Sequence, residues 1–195
     1  MLIVNQIPDQ TLIDSCLAGR REAFGQLVDR YQNRLFHSLL HLLGSREDAQ
    51  DAAQDAFVNA FEKLSSFRGQ SQFYSWLFRI AFNTAVSAKR KSRRMPVSLD
   101  ARRDASGQEP SDLNPSTEPS YPMDVSDRQR LVRQALSELP EEFRTALVLK
   151  EMDGMSYEEI ADVVEVPLGT VRSRIHRARL ELRDKLSVLL KSEVL

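Results

Sequence analysis

The chain has 195 residues, of which 42% are hydrophobic and 28% charged, and its 27 basic and 28 acidic side chains nearly cancel. This length allows one domain or two small ones, and the composition excludes a collagenous, disulfide-rich or intrinsically disordered protein. Cys16 is the only cysteine, and no run approaches the roughly 18 apolar residues of a membrane span. The first ten residues contain no basic segment typical of a secretory signal, so we expect a cytoplasmic protein without membrane insertion.

Three helices are predicted before residue 65. A short helix begins near Thr11, and a longer one follows with apolar residues at spacings of three and four until Gly44. Ser45 is typical of an N-cap, and the helix after it runs to about Leu64. No segment of the chain alternates with the period of a strand, so we predict an all-α fold.

The third predicted helix has a strongly acidic face. Residues 47–62 contain five acids and no base, and an alanine-rich face lies opposite. Such a surface repels nucleic acid and suits a basic protein partner, although a solvated charged face fits the composition equally well. The polar face comprises Asp48, Asp51, Asp55, Asn59 and Glu62.

The fourth predicted helix combines aromatic and basic residues. Ser71 is expected to cap it, and residues 73–82 are apolar on almost every side. A ring that stacks on an unpaired base, beside cations and an amide, is suited to single-stranded nucleic acid, although Trp76 fits a core position equally well. The polar stripe on this helix comprises Trp76, Arg79, Asn83, Ser87 and Arg90.

Residues 96–126 have a different composition from the rest of the chain. They contain five prolines among serines and acids, and they show neither helical nor strand periodicity. This segment is predicted to be a mobile, extended, acidic linker. It divides the chain into two helical domains, residues 1–95 and residues 127–195.

The second domain begins with helix signals of its own. A helix is predicted to start at Ser126, and Pro140 is suited to the first position of the next helix, which Gly154 closes. Ser156 and Glu159 have the spacing of a capping box. A short break at residues 165–167 then precedes the last helix.

The last helix has one narrow apolar sector, which contains Val171 and Ile175 and faces the core at 100° per residue. A short capped helix, a tight break and a helix with outward basic residues form the layout of a helix-turn-helix, in which arginine can read guanine. Arg174 and Arg179 flank the apolar sector, where they would meet phosphates or brace the helix. A solvated amphipathic helix is the alternative. The outward residues are Arg172, Ser173, His176 and Arg177.

Two long segments resemble the extracytoplasmic-function (ECF) class of bacterial sigma factors, and the sigma-E group in particular. They are DAQDAAQDAFVNAFEKLSSFRGQSQFYSWLFRIAFNTA and LPEEFRTALVLKEMDGMSYEEIADVVEVPLGTVRSRIHRAR, one in each helical domain. The resemblance implies a dissociable subunit that brings core RNA polymerase to promoters and assists their melting. It implies no enzyme activity and no cofactor.

The resemblance also implies a role for each motif. Docking on core polymerase falls to Asp48, Asp51, Gln54, Asp55, Phe57 and Glu62. Recognition of the −10 element falls to Phe67, Arg68, Gly69, Gln70, Ser71, Phe73, Tyr74, Trp76, Arg79 and Asn83. Recognition of the −35 element falls to Thr170, Arg172, Ser173, Arg174, His176, Arg177 and Arg179.

The implied partners are the largest and second-largest subunits of core RNA polymerase, promoter DNA, and a cognate anti-sigma factor, which in this class is often membrane-bound. A stand-alone helix-turn-helix regulator is the alternative, with the first domain as sensor or dimerisation unit. An enzyme is disfavoured because the sequence contains no phosphate-binding loop or nucleophile motif. His37 and His41 lie one turn apart but lack a third ligand nearby, so we expect helix-surface residues rather than a metal site.

Overall fold

The computed structural model describes the backbone of residues 7–94 and 125–192 and the side chains of residues 7–85 and 128–191. Regular structure in these ranges is entirely helical, so the predicted all-α fold of two helical domains is confirmed. The predicted linker lies outside these ranges, except that its last two residues belong to a helix. The first domain contains α1 (Asp9–Leu17), α2 (Glu22–Leu43), α3 (Arg46–Glu62), a 3₁₀ turn (Leu64–Ser66) and α4 (Phe73–Arg94). The second contains α5 (Val125–Ser137), α6 (Glu141–Glu151), α7 (Tyr157–Val164) and α8 (Leu168–Ser192).

The boundary between α2 and α3 is set by local sequence, as predicted. Gly44 ends α2 with a left-handed φ of 76°, and its N–H donates to the carbonyl of Leu40 at 2.9 Å. A residue without a Cβ adopts this conformation at no steric cost. The Ser45 hydroxyl then accepts the N–H of Asp48 at 3.2 Å and caps α3.

The predicted N-cap of α4, Ser71, is wrong by one residue. The helix begins at Phe73, and the N–H of Trp76 donates to the carbonyl of Gln72 at 3.2 Å. Ser71 therefore lies one residue before the capping position and remains exposed in the loop. The capping position is Gln72, whose backbone carbonyl accepts the first hydrogen bond of the helix.

The ends of α6 also differ from prediction. Pro140 is the N-cap of α6 and not its first residue, because its ψ of 139° is extended. At the other end α6 stops at Glu151, so Gly154 lies in the following loop with φ 58°. Loop N–H groups bond to the carbonyls of Val148 and Leu149, two of the last four in α6, without a glycine cap.

The two domains share one buried apolar cluster. Leu35 and Leu39 of α2 belong to the same cluster as Leu149 of α6 and Ile160 of α7. α2 packs on α6, and α4 packs on α7. Within the described ranges, none of the helices is long and apolar enough to cross a membrane.

Candidate nucleic-acid interface

The turn between α7 and α8 has helix-turn-helix geometry. The predicted capping box is present, because Ser156 Oγ accepts the N–H of Glu159 at 3.1 Å while Glu159 Oε2 accepts the N–H of Ser156 at 2.9 Å. Glu165 ends α7 with a left-handed φ of 54°. The N–H of Thr170 then donates to the carbonyl of Pro167 at 2.8 Å and starts α8. A break of three residues thus separates two helices with well-defined ends.

One face of α8 is buried and the opposite face is exposed at its N-terminal end. Val171 and Ile175 are at most 1% exposed, as their apolar spacing predicted. Thr170 is half-buried, and its carbonyl accepts the Ser173 hydroxyl at 2.9 Å. The exposed positions are Arg172, Ser173, His176 and Arg177.

The structure separates the arginines of α8 into two kinds. Arg174 Nη2 lies 2.9 Å from a carboxylate oxygen of Glu142, and Arg179 Nη2 lies 2.6 Å from one of Glu151, so both bind α6. Glu151 also raises the pKa of the Arg179 guanidinium by direct hydrogen bonding. Bracing the helix, one of the two roles foreseen for these arginines, is therefore observed for both. Arg172 and Arg177 form no ion pair within the part of the chain that the structure describes.

In the first domain, the loop before α4 is exposed. Gly69 adopts a left-handed φ of 68°, which turns the chain between two polar residues. Phe67 is half-buried at the start of this loop, and Arg79 and Asn83 are exposed on α4. Ser87 and Arg90 lie outside the described side chains. The exposed loop positions are Arg68, Gly69, Gln70 and Ser71.

Trp76 does not belong to the exposed stripe. It is 8% exposed, and its ring centroid lies 5.3 Å from that of Phe67 and 5.7 Å from that of Phe73. The prediction of an exposed stripe with Trp76 as a stacking surface is therefore wrong, and the core position weighed beside it is the one observed. The loop before α4 folds Phe67 over the indole, which no spacing along the helix could reveal.

The first turn of α4 faces the second domain. Tyr74 is 2% exposed, and its hydroxyl donates to a carboxylate oxygen of Asp153 at 2.7 Å. Burial and this nearby acid raise the pKa of Tyr74 well above its ordinary value, and burial raises the pKa of Asp153. Ser75 donates at 2.7 Å to Glu159 Oε1, so the Glu159 carboxylate serves both the capping box and the domain contact.

The six residues of α3 assigned to polymerase docking are exposed, with the exception of one. Asp48, Asp51, Gln54, Asp55 and Glu62 are all exposed, and the four acids form no ion pair within the described side chains. Phe57 points the other way, into the alanine-rich core, and is 9% exposed.

Two exposed apolar residues of α3 were not foreseen. Val58 is 55% exposed and lies seven residues after Asp51 and three after Asp55, which places it on their face of the helix. Phe61 is 39% exposed and packs edge-on against Phe24 with ring centroids 5.1 Å apart. The seven-residue spacing from Asp51 is the sequence feature that could have placed Val58 on this face.

Comparison with known families matches each domain separately. The family model described as Sigma-70 region 2 matches residues 27–95, which include the acidic face and the described part of α4. The model described as Sigma-70, region 4 matches residues 129–182, which include the helix-turn-helix. The ECF RNA polymerase sigma-E factor of Haemophilus influenzae is 39% identical over 190 residues, covering 96% of this chain and 100% of that protein. The chain belongs to the extracytoplasmic-function sigma factors.

This sigma factor has other similar relatives. The RNA polymerase sigma-H factor of Pseudomonas aeruginosa is 40% identical over 97% of the chain and 99% of that protein. Among solved structures, the sigma factor RpoE in complex with the anti-sigma factor NepR from Bartonella quintana is 30% identical, with a TM-score of 0.65 over 85% of this chain and 97% of that one. CnrH in complex with the cytosolic domain of CnrY is 30% identical, with a TM-score of 0.64 over 94% and 97%.

Proposed function

We propose that this sigma factor is a dissociable initiation subunit that binds core RNA polymerase, directs it to promoters and assists their melting. In this proposal α8 reads the −35 element, the loop before α4 together with α4 reads the −10 element, and α3 docks on the polymerase. The observation that supports it best is one chain bearing an exposed acidic helix face and, in its other domain, a helix-turn-helix with exposed arginines. The two surfaces suit partners of opposite charge.

The remaining roles follow from this assignment. The protein acts by binding and not as an enzyme, and it works in the cytoplasm where the polymerase is. The domain limits are residues 1–95, 96–126 and 127–195. The relative from Bartonella quintana is seen in complex with an anti-sigma factor, and we expect a cognate anti-sigma factor to control this protein as well.

The test is transcription from genomic fragments with purified core polymerase. Addition of the wild-type protein should produce new start sites that share −10 and −35 sequences. Asp51→Lys together with Asp55→Lys should reduce polymerase binding at least tenfold, since two exposed acids at a charged interface change sign. Asp29→Lys together with Asp162→Lys is the matched control, because it makes the same charge change at exposed positions elsewhere.

Two results would reject the assignment. Tight binding to duplex DNA without any association with polymerase would make the protein a stand-alone helix-turn-helix regulator. Equal polymerase affinity of the Asp51/Asp55 variant and the control would leave the acidic face without its proposed partner.

A further inference from the structure

The two domains meet at a buried carboxylate. Asp153 lies in the loop after α6, and its side chain is 1% exposed. Its Oδ1 accepts the Tyr74 hydroxyl at 2.7 Å and the Ser38 hydroxyl at 2.9 Å, and Arg34 Nε lies at 3.4 Å. Arg34 also donates to the backbone carbonyl of Asp153 at 2.6 Å and places its guanidinium 3.7 Å from the centre of the Tyr74 ring.

The three described side chains that contact this carboxylate belong to the first domain. A buried carboxylate is costly unless hydrogen bonds and an opposite charge compensate it. Ser38, Arg34 and Tyr74 supply that compensation at Oδ1, whereas Oδ2 is buried without a hydrogen-bond partner among the described residues. Because these partners come from the first domain, Asp153 is compensated in its buried state only while the domains are docked. A further cross-domain bond, from Ser75 to Glu159, comes from the residue that follows Tyr74 on α4.

The docked arrangement is too compact to occupy both promoter elements. By their names, the −10 and −35 elements lie about 25 base pairs apart, or about 85 Å along B-form DNA. From Glu159, which touches α4, the chain reaches Arg177 through α7, the break and α8, a path of about 30 Å. The chain between Arg94 and Val125 has a contour length on the order of 100 Å, which is enough to let separated domains span the promoter.

From these contacts we infer that Asp153 is the latch of a closed, promoter-incompetent form, held by Ser38, Tyr74 and Arg34. The closed form keeps Tyr74 from the −10 element and keeps the two reading helices within one compact body. Promoter binding then requires the latch to open. This inference rests on the proposed promoter roles of α4 and α8, whereas the latch itself can be measured without DNA or polymerase.

The first measurement is the distance between domains in the full-length protein. Donor and acceptor dyes on Gln32→Cys of α2 and Ser187→Cys of α8, in a Cys16→Ala background, should report one high-transfer population. Ser38→Asp places a second carboxylate against Asp153, and Asp153→Lys places a cation against Arg34. Each should lower the closed-to-open ratio on the order of 100-fold, because each leaves an uncompensated buried charge in the closed form.

The controls carry the same charge changes at exposed positions. Gln26→Asp on α2 is the control for Ser38→Asp. Asp162→Lys on α7 is the control for Asp153→Lys. Both should retain the wild-type transfer efficiency. The two latch variants lie in different domains, so opening in both identifies the interface and not the unfolding of one domain, which circular dichroism checks directly. Transfer efficiencies that are the same for wild type and both latch variants would overturn the inference.

The second measurement uses a promoter fragment mapped by the transcription experiment, with the −10 region unpaired. If only the open form binds, affinity should rise by the same factor as the open fraction measured by energy transfer. If the latch variants open but bind the promoter fragment no more tightly than wild type, the inference that the closed form cannot bind the promoter would be overturned. Failure of wild-type protein to direct polymerase would instead reject the proposed function while leaving the energy-transfer result intact.

Discussion

The arginines of α8 should divide into two classes when each is replaced by alanine. Arg172 and Arg177 are exposed and form no ion pair among the described side chains, so their removal breaks none of the ion pairs seen there. Arg174 and Arg179 bind acids of α6, so their removal breaks an ion pair that holds α8 in place. We therefore expect Arg172→Ala and Arg177→Ala to weaken DNA binding, and Arg174→Ala and Arg179→Ala to weaken the fold.

The expected magnitudes differ between the classes. A lost arginine–base contact costs about 1–3 kcal/mol of discrimination, which is about 5- to 140-fold in affinity. The Arg179–Glu151 pair is about half exposed on both sides, so its loss should lower the free energy of unfolding by only about 0.2–1 kcal/mol. Where Arg172 or Arg177 contacts a phosphate and not a base, the negative slope of log affinity against log salt should instead become shallower by about 0.9.

Fluorescence anisotropy with a −35 duplex, measured at several salt concentrations, and urea unfolding separate these effects. Arg183→Ala is the matched control, since Arg183 lies further along α8, is exposed, and pairs only with its neighbour Asp184 among the described residues. Arg172→Ala and Arg177→Ala binding within twofold of the control at every salt concentration would refute the division. So would a loss of DNA affinity in Arg174→Ala and Arg179→Ala as large as in the first pair with unfolding unchanged.

Three further predictions concern the scaffold. Ile175 is 1% exposed on the buried face of α8. In urea unfolding, Ile175→Ala should lower the free energy of unfolding by about 2–5 kcal/mol and Ile175→Val by about 0.5–1.5 kcal/mol. Equal losses for the two variants would argue against a close-packed site. Ser156→Ala removes the hydroxyl that caps α7 and should destabilise the fold by about 1 kcal/mol in thermal unfolding, whereas Ser156→Thr, which keeps a hydroxyl, should lose much less. Burial, with Arg133 and His37 nearby, lowers the pKa of His41 from its ordinary value of 6.5, so the unfolded chain binds more protons and stability should fall as pH drops below 6.5 towards the folded pKa. His41→Gln should remove that part of the pH dependence, while His37→Gln at an exposed position should retain it; identical pH profiles for the two variants would contradict the assignment.

The sequence predicts local structure well because its signals lie close together along the chain. Ser45 with Asp48, and Ser156 with Glu159, are separated by one helical turn, so each cap is complete within four residues. The inward position of Val171 follows in the same way from helical spacing. For the same reason the outward positions of Arg172 and Arg177 could be foreseen.

Contacts between distant segments could not be foreseen by these rules. Asp153 precedes a glycine and resembles an ordinary turn residue, yet its hydroxyl partner Ser38 lies 115 positions earlier. A helical wheel gives the direction of Trp76 but not the loop that covers it with Phe67. Arg174 is an intermediate case. The helical wheel placed it at the edge of the apolar sector, but its carboxylate partner, Glu142, belongs to a different helix and could not be foreseen.

Glu159 makes the start of the helix-turn-helix sensitive to the other domain. One of its carboxylate oxygens holds the first turn of α7 through Ser156, while the other accepts a hydrogen bond from Ser75, 84 positions away. When the domains part, the side chain loses one of its two anchors, so α7 should fray more readily at its first turn. Linkage is reciprocal, and a firmer first turn must favour docking by the same free energy. Amide hydrogen exchange at Ser156 would therefore report on a contact made by a different domain.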